Sequence, residues 1–156
     1  MHLTDLLSPE VIKVPLAGKE KYEIIEELIG LLDKAGRLEN RDLALNAVVE
    51  RERQMSTGMG DGIAIPHAKT DAVKELSIAF GITRHDVDFQ AIDGKPVRLF
   101  FLLVGPTDQT ALHLKMLSRI SRLMHKKEFR DQLRTCMDAE EVLQVIGAEE
   151  RKYFPI

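Results

Sequence analysis

The chain has 156 residues, of which 44% are hydrophobic, a size and composition that suit one well-cored domain and are short for two. Its 22 basic and 25 acidic residues are mixed along the sequence and give a formal net charge of −3, which argues against a nucleic-acid-binding surface. The longest apolar run, Leu99 to Val104, is too short to span a bilayer and no amino-terminal segment resembles a signal peptide, so we expect a cytoplasmic protein that does not insert into a membrane.

The first half of the chain alternates a short apolar run with two amphipathic segments. Hydrophobic periodicity predicts three elements there: a strand at Val11–Val14, a helix over about 19–35 and a helix over 41–54. Gly36 suits the left-handed position that follows a helix, and Asn40 suits the N-cap of the next helix.

The second half is predicted to contain three strands and three helices. These are strands at Ile63–Ile65, Ser77–Thr83 and Val97–Val104, and helices near 110–125, 127–135 and 139–146. The last strand is apolar enough to be buried on both faces, and either Thr107 or Asp108 suits the N-cap of the helix after it. This alternation predicts a single α/β domain over 1–156, with helices around a sheet. The tail, 147–156, is either loose or packed on a neighbour.

The stretch from Gly58 to Ala68 is the most informative part of the sequence. It runs from a Gly-rich loop into a short apolar strand that ends on Pro66 and His67. Proline fixes its own φ and restricts Ile65, so the backbone that carries His67 is stiff. A rigid, open imidazole suits attack on phosphorus or coordination of a ligand, and the alternative is a hydrogen-bonded loop histidine.

Arg51 lies on the predicted 41–54 helix, where it continues an otherwise apolar face. The other members of that face are Ala44, Ala47, Val48 and Met55. An arginine that faces inward needs an anionic partner, because burial of an unpaired guanidinium is costly. Glu50, Asp61 or a helix-terminal carbonyl would serve that purpose structurally, and a phosphate would serve it functionally.

His113 falls in the first or second turn of the predicted 110–125 helix, at the start of its inward stripe. That stripe continues through Met116, Leu117, Ile120 and Met124. One interpretation is a hydrogen-bonded core histidine. The other is a donor to a group held near the positive helix N-terminus, where anions are favoured.

Motifs for other phosphate or metal chemistry are incomplete. The spacing Gly58, Gly60, Gly62 lacks the third glycine of a dinucleotide fingerprint, and no Gly-Lys-Ser/Thr follows as a P-loop requires. These glycines serve either a tight turn or the close approach of a docking partner. No His or Cys pair has metal-ligand spacing, so we expect no metal and no cofactor. The remaining histidines (His2, His85 and His125) are expected on the surface, and the single Cys136 is expected to be inert.

Several segments together resemble one family of proteins. The pattern Glu52, six residues, Met59-Gly60, two residues, Ile63-Ala64-Ile65-Pro66-His67-Ala68 resembles the phosphohistidine signature of IIA components of the fructose/mannitol class of the bacterial phosphoenolpyruvate-dependent sugar phosphotransferase system. Further matching segments are Arg51-Glu52-Arg53, Ser56-Thr57-Gly58, Ala91-Ile92-Asp93 with Pro96-Val97, and Asp108-Gln109-Thr110 followed by His113-Leu114. The resemblance covers Leu3 to about Ile146, which places the core of the domain at about 3–146, and is strongest to the nitrogen-regulatory IIA proteins.

The resemblance implies both a fold and a set of roles. The fold is an α/β domain with a mixed β-sheet flanked by helices on both faces. His67 would accept a phosphoryl group from the phosphocarrier HPr or its paralogue and pass it to a IIB component, with Arg51 and His113 in supporting roles. The attacking nitrogen must be unprotonated, so the other ring nitrogen should be bonded, often to a backbone carbonyl. Met55, Met59 and Ile63 are candidates for an apolar rim.

Three functions stay open at the level of the sequence. The first is a phosphotransfer component of sugar uptake. The second is a regulatory phosphoprotein whose phosphorylation state controls which target proteins it binds. The third is a ligand-binding domain without phosphorylation, which would require the signature match to be accidental.

Overall fold

The computed structural model describes residues 1–154, and within that range it contains six strands in one sheet and six α-helices. The helices are α1 (Leu3–Leu6), α2 (Lys21–Lys34), α3 (Arg41–Gln54), α4 (Thr110–Met124), α5 (Lys127–Arg134) and α6 (Ala139–Tyr153). The strands are β1 (Ile12–Lys13), β2 (Gly58–Gly60), β3 (Ile63–Ala64), β4 (His67–Lys69), β5 (Ser77–Val87) and β6 (Val97–Gly105).

The sheet is mixed, and its two long strands lie at its centre. The strand order is β1-β5-β6-β3-β2, and β4 also pairs with β6. β5 is antiparallel to β6, whereas β3 and β4 are parallel to β6 and β1 is parallel to β5. Every residue of β6 from Leu99 to Gly105 is buried, so both faces of the sheet are covered there, as predicted. The predicted α/β fold is therefore confirmed.

Helix packing places α3 beside the strand that carries His67. α2 packs against α3 and against β5, and α3 packs against β4. α4 and α5 contact β6, while α6 contacts α1 and β1. No helix within residues 1–154 is long and apolar enough to cross a membrane.

Caps confirm the predicted end of α2 and the predicted start of α3, whereas α2 begins at Lys21, two residues after its predicted start. Gly36, which follows α2, has φ +75° and takes the left-handed conformation that glycine adopts without strain. Asn40 is the N-cap of α3, and its Oδ1 accepts a hydrogen bond from the Leu43 N–H at 3.0 Å.

The predicted cap of α4 is wrong. Its N-cap is Gln109, whose side chain makes no capping hydrogen bond, and neither Thr107 nor Asp108 occupies the position. The Thr107 hydroxyl donates to Asp71 Oδ1 at 2.8 Å, a contact between two loops rather than a cap of the helix. The first turn of α4 therefore lacks a capping hydrogen bond from the side chain of its N-cap residue.

The last helix is longer than predicted, because α6 continues past Ile146 to Tyr153. Glu150 is buried, and its carboxylate accepts hydrogen bonds from the Leu3 N–H at 2.6 Å and the Thr4 N–H at 3.1 Å. The segment predicted as a tail from Gly147 thus packs on α1 through charged residues, which an apolar pattern does not reveal. Pro155 and Ile156 lie outside the described residues.

The short strands depart most from prediction. The first strand is only Ile12–Lys13, because Val11 closes a 3-10 turn, and β2 and β4 were not predicted. Ile65 lies outside β3, yet β3 and β4 keep one register on β6, with Ala64 opposite Phe100 and His67 opposite Leu103. The Leu103 N–H donates to the Pro66 carbonyl at 3.0 Å. The interruption at Ile65-Pro66 therefore leaves His67 fixed to the central strand.

Candidate active site

His67 begins β4, and its imidazole is anchored by its own backbone. Nδ1 lies 2.7 Å from the carbonyl oxygen of Ile65. Because a carbonyl only accepts hydrogen bonds, Nδ1 carries the proton and Nε2 of the neutral ring carries a lone pair. The bond to a backbone carbonyl, expected for the unreactive ring nitrogen, is present.

The surroundings of His67 favour the neutral ring. Burial lowers the pKa of His67 below its ordinary value of 6.5, the Ile65 carbonyl bond opposes that shift, and the nearby Arg51 guanidinium lowers the pKa further. The Glu52 carboxylate acts in the opposite direction and raises the pKa. The net pKa is lowered, so Nε2 is unprotonated at neutral pH.

The structure brings His113 next to His67, as the sequence predicted for a joint site. The two ring centroids are 5.7 Å apart, with an interplanar angle of 59°. His113 occupies the first turn of α4 and is only 4% exposed. Burial, together with the charges of His67 and Lys69, lowers the pKa of His113 to about 4, so this ring is neutral as well.

His113 is not a satisfied core histidine. Its buried Nδ1 has no hydrogen-bond partner among the residues described, 1–154. A Cβ added to Gly105 would lie 3.2 Å from that nitrogen, so the small residue on β6 makes room for the ring. A buried polar atom without a partner costs about 1 to 3 kcal/mol. His2 Nδ1 and Arg130 Nε share this property within 1–154, so it marks His113 only together with the neighbouring His67.

Arg51 lies near His67, but its surroundings differ from the prediction. Its Nη1 donates to the Met55 carbonyl at 3.1 Å, which is the helix-terminal carbonyl considered as a structural partner. Arg51 is half-buried and Met55 is 70% exposed, so neither continues the buried face of α3. That face is formed by Ala44, Val48 and Glu52 at four-residue spacing. Within 1–154 no carboxylate forms an ion pair with Arg51, and its charge lowers the pKa of His67.

Glu52 is the first site residue that sequence reasoning missed, although it opens the family signature. Its side chain is fully buried and forms an ion pair with Lys21 at 3.0 Å. Thr57 donates to the same carboxylate from its N–H at 2.9 Å and from its hydroxyl at 2.6 Å. The sequence did contain a signal for Glu52. Its four-residue spacing from Ala44 and Val48 puts it on the buried face of the helix, where an acidic side chain needs a buried partner.

Lys69 is the second residue that was missed. It lies two residues after His67 on β4, and successive residues of a strand alternate between faces, so both side chains leave the strand on one side. The Lys69 ammonium lies 3.5 Å from the Thr110 hydroxyl at the start of α4, and its charge lowers the pKa of His113. The position of Lys69 beside His67 was not predicted, because residues 67–69 were not recognised as a strand.

The predicted rim is partly wrong. Met55 is 70% exposed and Met59 is 44% exposed, whereas Ile63 is only 4% exposed because it pairs with Leu99 inside the sheet. Ile63 therefore belongs to the core, and a rim formed by Met55 and Met59 stays a prediction.

The Gly-rich segment forms a tight turn between β2 and β3. Gly60, Asp61 and Gly62 have φ of +94°, +59° and +81°, a left-handed run that favours glycine. The predicted turn is confirmed, and the proposed clearance for a docking partner stays a prediction.

The other histidines and the cysteine lie away from this site. His125 is exposed as predicted, but His2 and His85 are half-buried, and His85 Nε2 lies 2.7 Å from the Gly18 carbonyl oxygen. Cys136 is buried, and burial raises the pKa of its thiol, which keeps the sulfur protonated. In the stretch 1–154 no three His, Cys, Asp or Glu side chains are grouped to hold a metal ion.

Comparison with known sequences extends the resemblance over nearly the whole chain. The family described as phosphoenolpyruvate-dependent sugar phosphotransferase system, EIIA 2, matches residues 5–148. The fructose-specific EIIABC component of Bacillus subtilis (strain 168) is 39% identical over 151 residues, which are 97% of this chain but 24% of that protein. This chain therefore spans about a quarter of that relative. The fructose-specific EIIA component of Haloferax volcanii is 38% identical over 150 residues, 94% of this chain and 97% of that protein.

A solved structure gives the same result for the fold. The nitrogen regulatory protein IIA-Ntr from Neisseria meningitidis matches with a TM-score of 0.86 and 35% sequence identity, over 92% of this chain and 98% of that one. Its name concerns nitrogen regulation, whereas the two sequence relatives are named for fructose. The match over residues 5–148, the identities and the fold agree, and the chain belongs to the EIIA type 2 family of the phosphoenolpyruvate-dependent sugar phosphotransferase system.

Proposed function

We propose that this protein is a cytoplasmic phosphocarrier in which Nε2 of His67 accepts a phosphoryl group from an HPr-type phosphocarrier and passes it to a IIB component in sugar uptake. The observation that carries this proposal is the 2.7 Å contact between Nδ1 and the Ile65 carbonyl, which leaves Nε2 unprotonated. The lowered pKa of His67 keeps it so at neutral pH.

The transfer consists of one bond formed and one broken. The Nε2 lone pair attacks the phosphorus of the donor's phosphohistidine, and the donor's P–N bond breaks with its electron pair returning to the donor nitrogen. The Ile65 carbonyl keeps accepting the Nδ1 hydrogen as positive charge develops on the ring. A second transfer of the same kind, with His67 as the leaving group, delivers the phosphoryl group to the acceptor.

Three groups supply the electrostatic stabilisation that this step needs. Arg51 has N–H groups beyond the one bonded to Met55, and Lys69 adds a second cation close to the α4 N-terminus. His113 is neutral, and because its Nδ1 finds no acceptor, Nε2 is the nitrogen that donates to a phosphoryl oxygen. Phosphoryl transfer depends mainly on such positioning and charge, and no metal is required by this arrangement.

The second candidate function is a regulatory phosphoprotein that controls target proteins and handles no sugar. The similarity to the Neisseria meningitidis IIA-Ntr structure favours it. Both functions use the same phosphohistidine, so they differ only in what receives the phosphoryl group or recognises it. Purified phosphorylated protein offered a fructose-type IIB domain separates them, since a transport component transfers its label within seconds to minutes and a purely regulatory one retains it.

The proposal is tested by labelling with phosphoenolpyruvate, enzyme I and HPr. The wild type should acquire one phosphoryl group that is lost in acid and survives alkali, as a phosphoramidate does. His67→Ala should acquire none, while the matched control His125→Ala, which removes an exposed histidine, should label normally. Normal labelling of His67→Ala would refute the assignment.

A further inference from the structure

A chain of hydrogen bonds connects the buried Glu52 carboxylate to the imidazole of His67. Thr57 donates to Glu52 through its N–H at 2.9 Å and its hydroxyl at 2.6 Å. The Thr57 carbonyl in turn accepts the Ile65 N–H at 3.1 Å. The Ile65 carbonyl then accepts the Nδ1 hydrogen of His67 at 2.7 Å. Each link fixes the backbone that forms the next one.

Glu52 is buried, but its carboxylate is fully supplied with partners. Lys21, from α2, donates to its Oε2 at 3.0 Å and is itself 5% exposed. The same ammonium donates to Gln90 Oε1 at 3.0 Å and lies 4.9 Å from the centre of the Phe89 ring. A buried carboxylate persists only when it is paired and hydrogen-bonded, and these contacts with Thr57 and Lys21 meet both conditions.

Such a pair does little for stability by itself. An ion pair taken out of water often gains nothing over apolar side chains of the same volume, because desolvation offsets the attraction. Stability alone therefore does not account for this pair on a helix face whose other buried members are Ala44 and Val48.

We propose that Glu52 is a positioning residue for His67, which acts through Thr57 and Ile65 to hold the imidazole in the Nδ1–H tautomer and in the rotation that presents Nε2. It does not touch the reacting atoms. The inference rests on the function proposed above, because it concerns the nitrogen that would accept the phosphoryl group. An aspartate that bonds a catalytic imidazole directly fixes tautomer and orientation in the same way, and its loss is severe even when geometry is kept.

The local charges give this role a signature that packing alone lacks. Three charged or titratable groups act on the two rings from neighbouring elements: Arg51 and Lys69 as cations and Glu52 as an anion. Since Glu52 raises the pKa of His67, removal of its charge lowers that pKa further.

The test uses Glu52→Gln, with Glu50→Gln as the matched control on the same helix. Glu50 is exposed and pairs with Arg53 at 2.8 Å. Nitrogen-15 NMR of the unphosphorylated protein reads the tautomer and the pKa of His67 without any phosphotransfer. In Glu52→Gln we expect the Nε2–H tautomer to appear and the pKa of His67 to fall. The rate of labelling by phospho-HPr should fall about 10- to 100-fold, by analogy with the loss of a group that orients a metal-bound histidine.

A second variant covers the case in which Glu52→Gln does not fold. Thr57→Val removes the 2.6 Å hydroxyl bond and keeps the volume and the N–H, and it should give the same tautomer change to a smaller extent, with Thr57→Ser restoring the wild-type spectrum. An unchanged tautomer in the folded variants would overturn the inference, even if the pKa of His67 fell in Glu52→Gln, because loss of the Glu52 charge alone lowers that pKa. If instead the tautomer changed as expected but wild-type His67 was never phosphorylated, the positioning would stand and the proposed function would fail.

Discussion

His113 separates a catalytic from a structural interpretation of this site more sharply than any other residue, and His113→Ala is the perturbation to make. The variant loses packing and leaves a cavity, which costs about 2 to 5 kcal/mol for large buried side chains. It also removes the buried Nδ1 that has no partner within 1–154, a relief of about 1 to 3 kcal/mol. The midpoints of these two ranges leave a net fall of about 1.5 kcal/mol in the free energy of unfolding, and their extremes allow no more than about 4 kcal/mol.

The effect of His113→Ala on phosphotransfer should be much larger. Loss of one donor to developing charge costs on the order of 3 kcal/mol, or about a hundredfold in rate. The assay is rapid-quench labelling of His67 by purified phospho-HPr, with urea unfolding measured on the same preparation.

Met116→Ala is the matched control for His113→Ala. Met116 lies on the same inward stripe of α4 and is fully buried, but it carries no donor. The Met116→Ala protein should be destabilised by about 2 to 5 kcal/mol, and its folded fraction should still be labelled near the wild-type rate. If His113→Ala were also labelled at the wild-type rate, His113 would be a core residue and the reasoning would be refuted.

Three further outcomes are expected. Arg51→Ala should slow labelling about a hundredfold, and Arg51→Lys should stay impaired because an ammonium does not reproduce the two parallel hydrogen bonds of a guanidinium. Arg53→Ala, which alters an exposed arginine on the same helix, is the control and should be labelled at the normal rate. Equal labelling rates for the two alanine variants would exclude Arg51 from the site. The unfolding free energy should fall by up to about 3 kcal/mol as the pH drops from about 6.5 to about 4, because His113 is protonated in the unfolded chain in that pH range and stays neutral in the folded protein. The dependence of the unfolding free energy on pH should be weaker in His113→Ala. The same dependence in both proteins would contradict the low pKa of His113. Labelling by purified phospho-HPr should continue in excess chelator, since positioning and Arg51 meet the charge of the phosphoryl group, and its arrest would mean that a metal is needed.

The fold was largely predictable because its long elements follow simple periodicities. The apolar run in β6 and the caps at Gly36 and Asn40 identify a buried strand and two helix boundaries without knowledge of the rest of the chain. The short strands were not predictable in that way. β4 has three residues, and it is a strand only because β6 provides partners for His67 through Lys69.

Burial patterns placed His113 correctly on the inward face of α4 but placed Arg51 wrongly. Arg51 was placed on the buried face of α3, and the structure puts its neighbour Glu52 there instead, because Lys21 and Thr57 neutralise and bond that carboxylate. Glu150 is a second example. It is charged but buried in α6, and the segment that contains it was therefore predicted as a tail and not as part of the helix. A charged residue on a buried face is thus ambiguous in a single sequence, since the partner that makes burial possible is far away along the chain.

The most direct measurement on the central claim is the nitrogen–phosphorus coupling pattern of the phosphorylated protein, recorded by NMR with uniform nitrogen-15 labelling. The geometry of His67 leads us to expect a single phosphorus bonded to its Nε2, with Nδ1 still protonated against the Ile65 carbonyl. Phosphorus found on Nδ1 of His67, or on any other residue, would contradict the assignment of Nε2 as the acceptor.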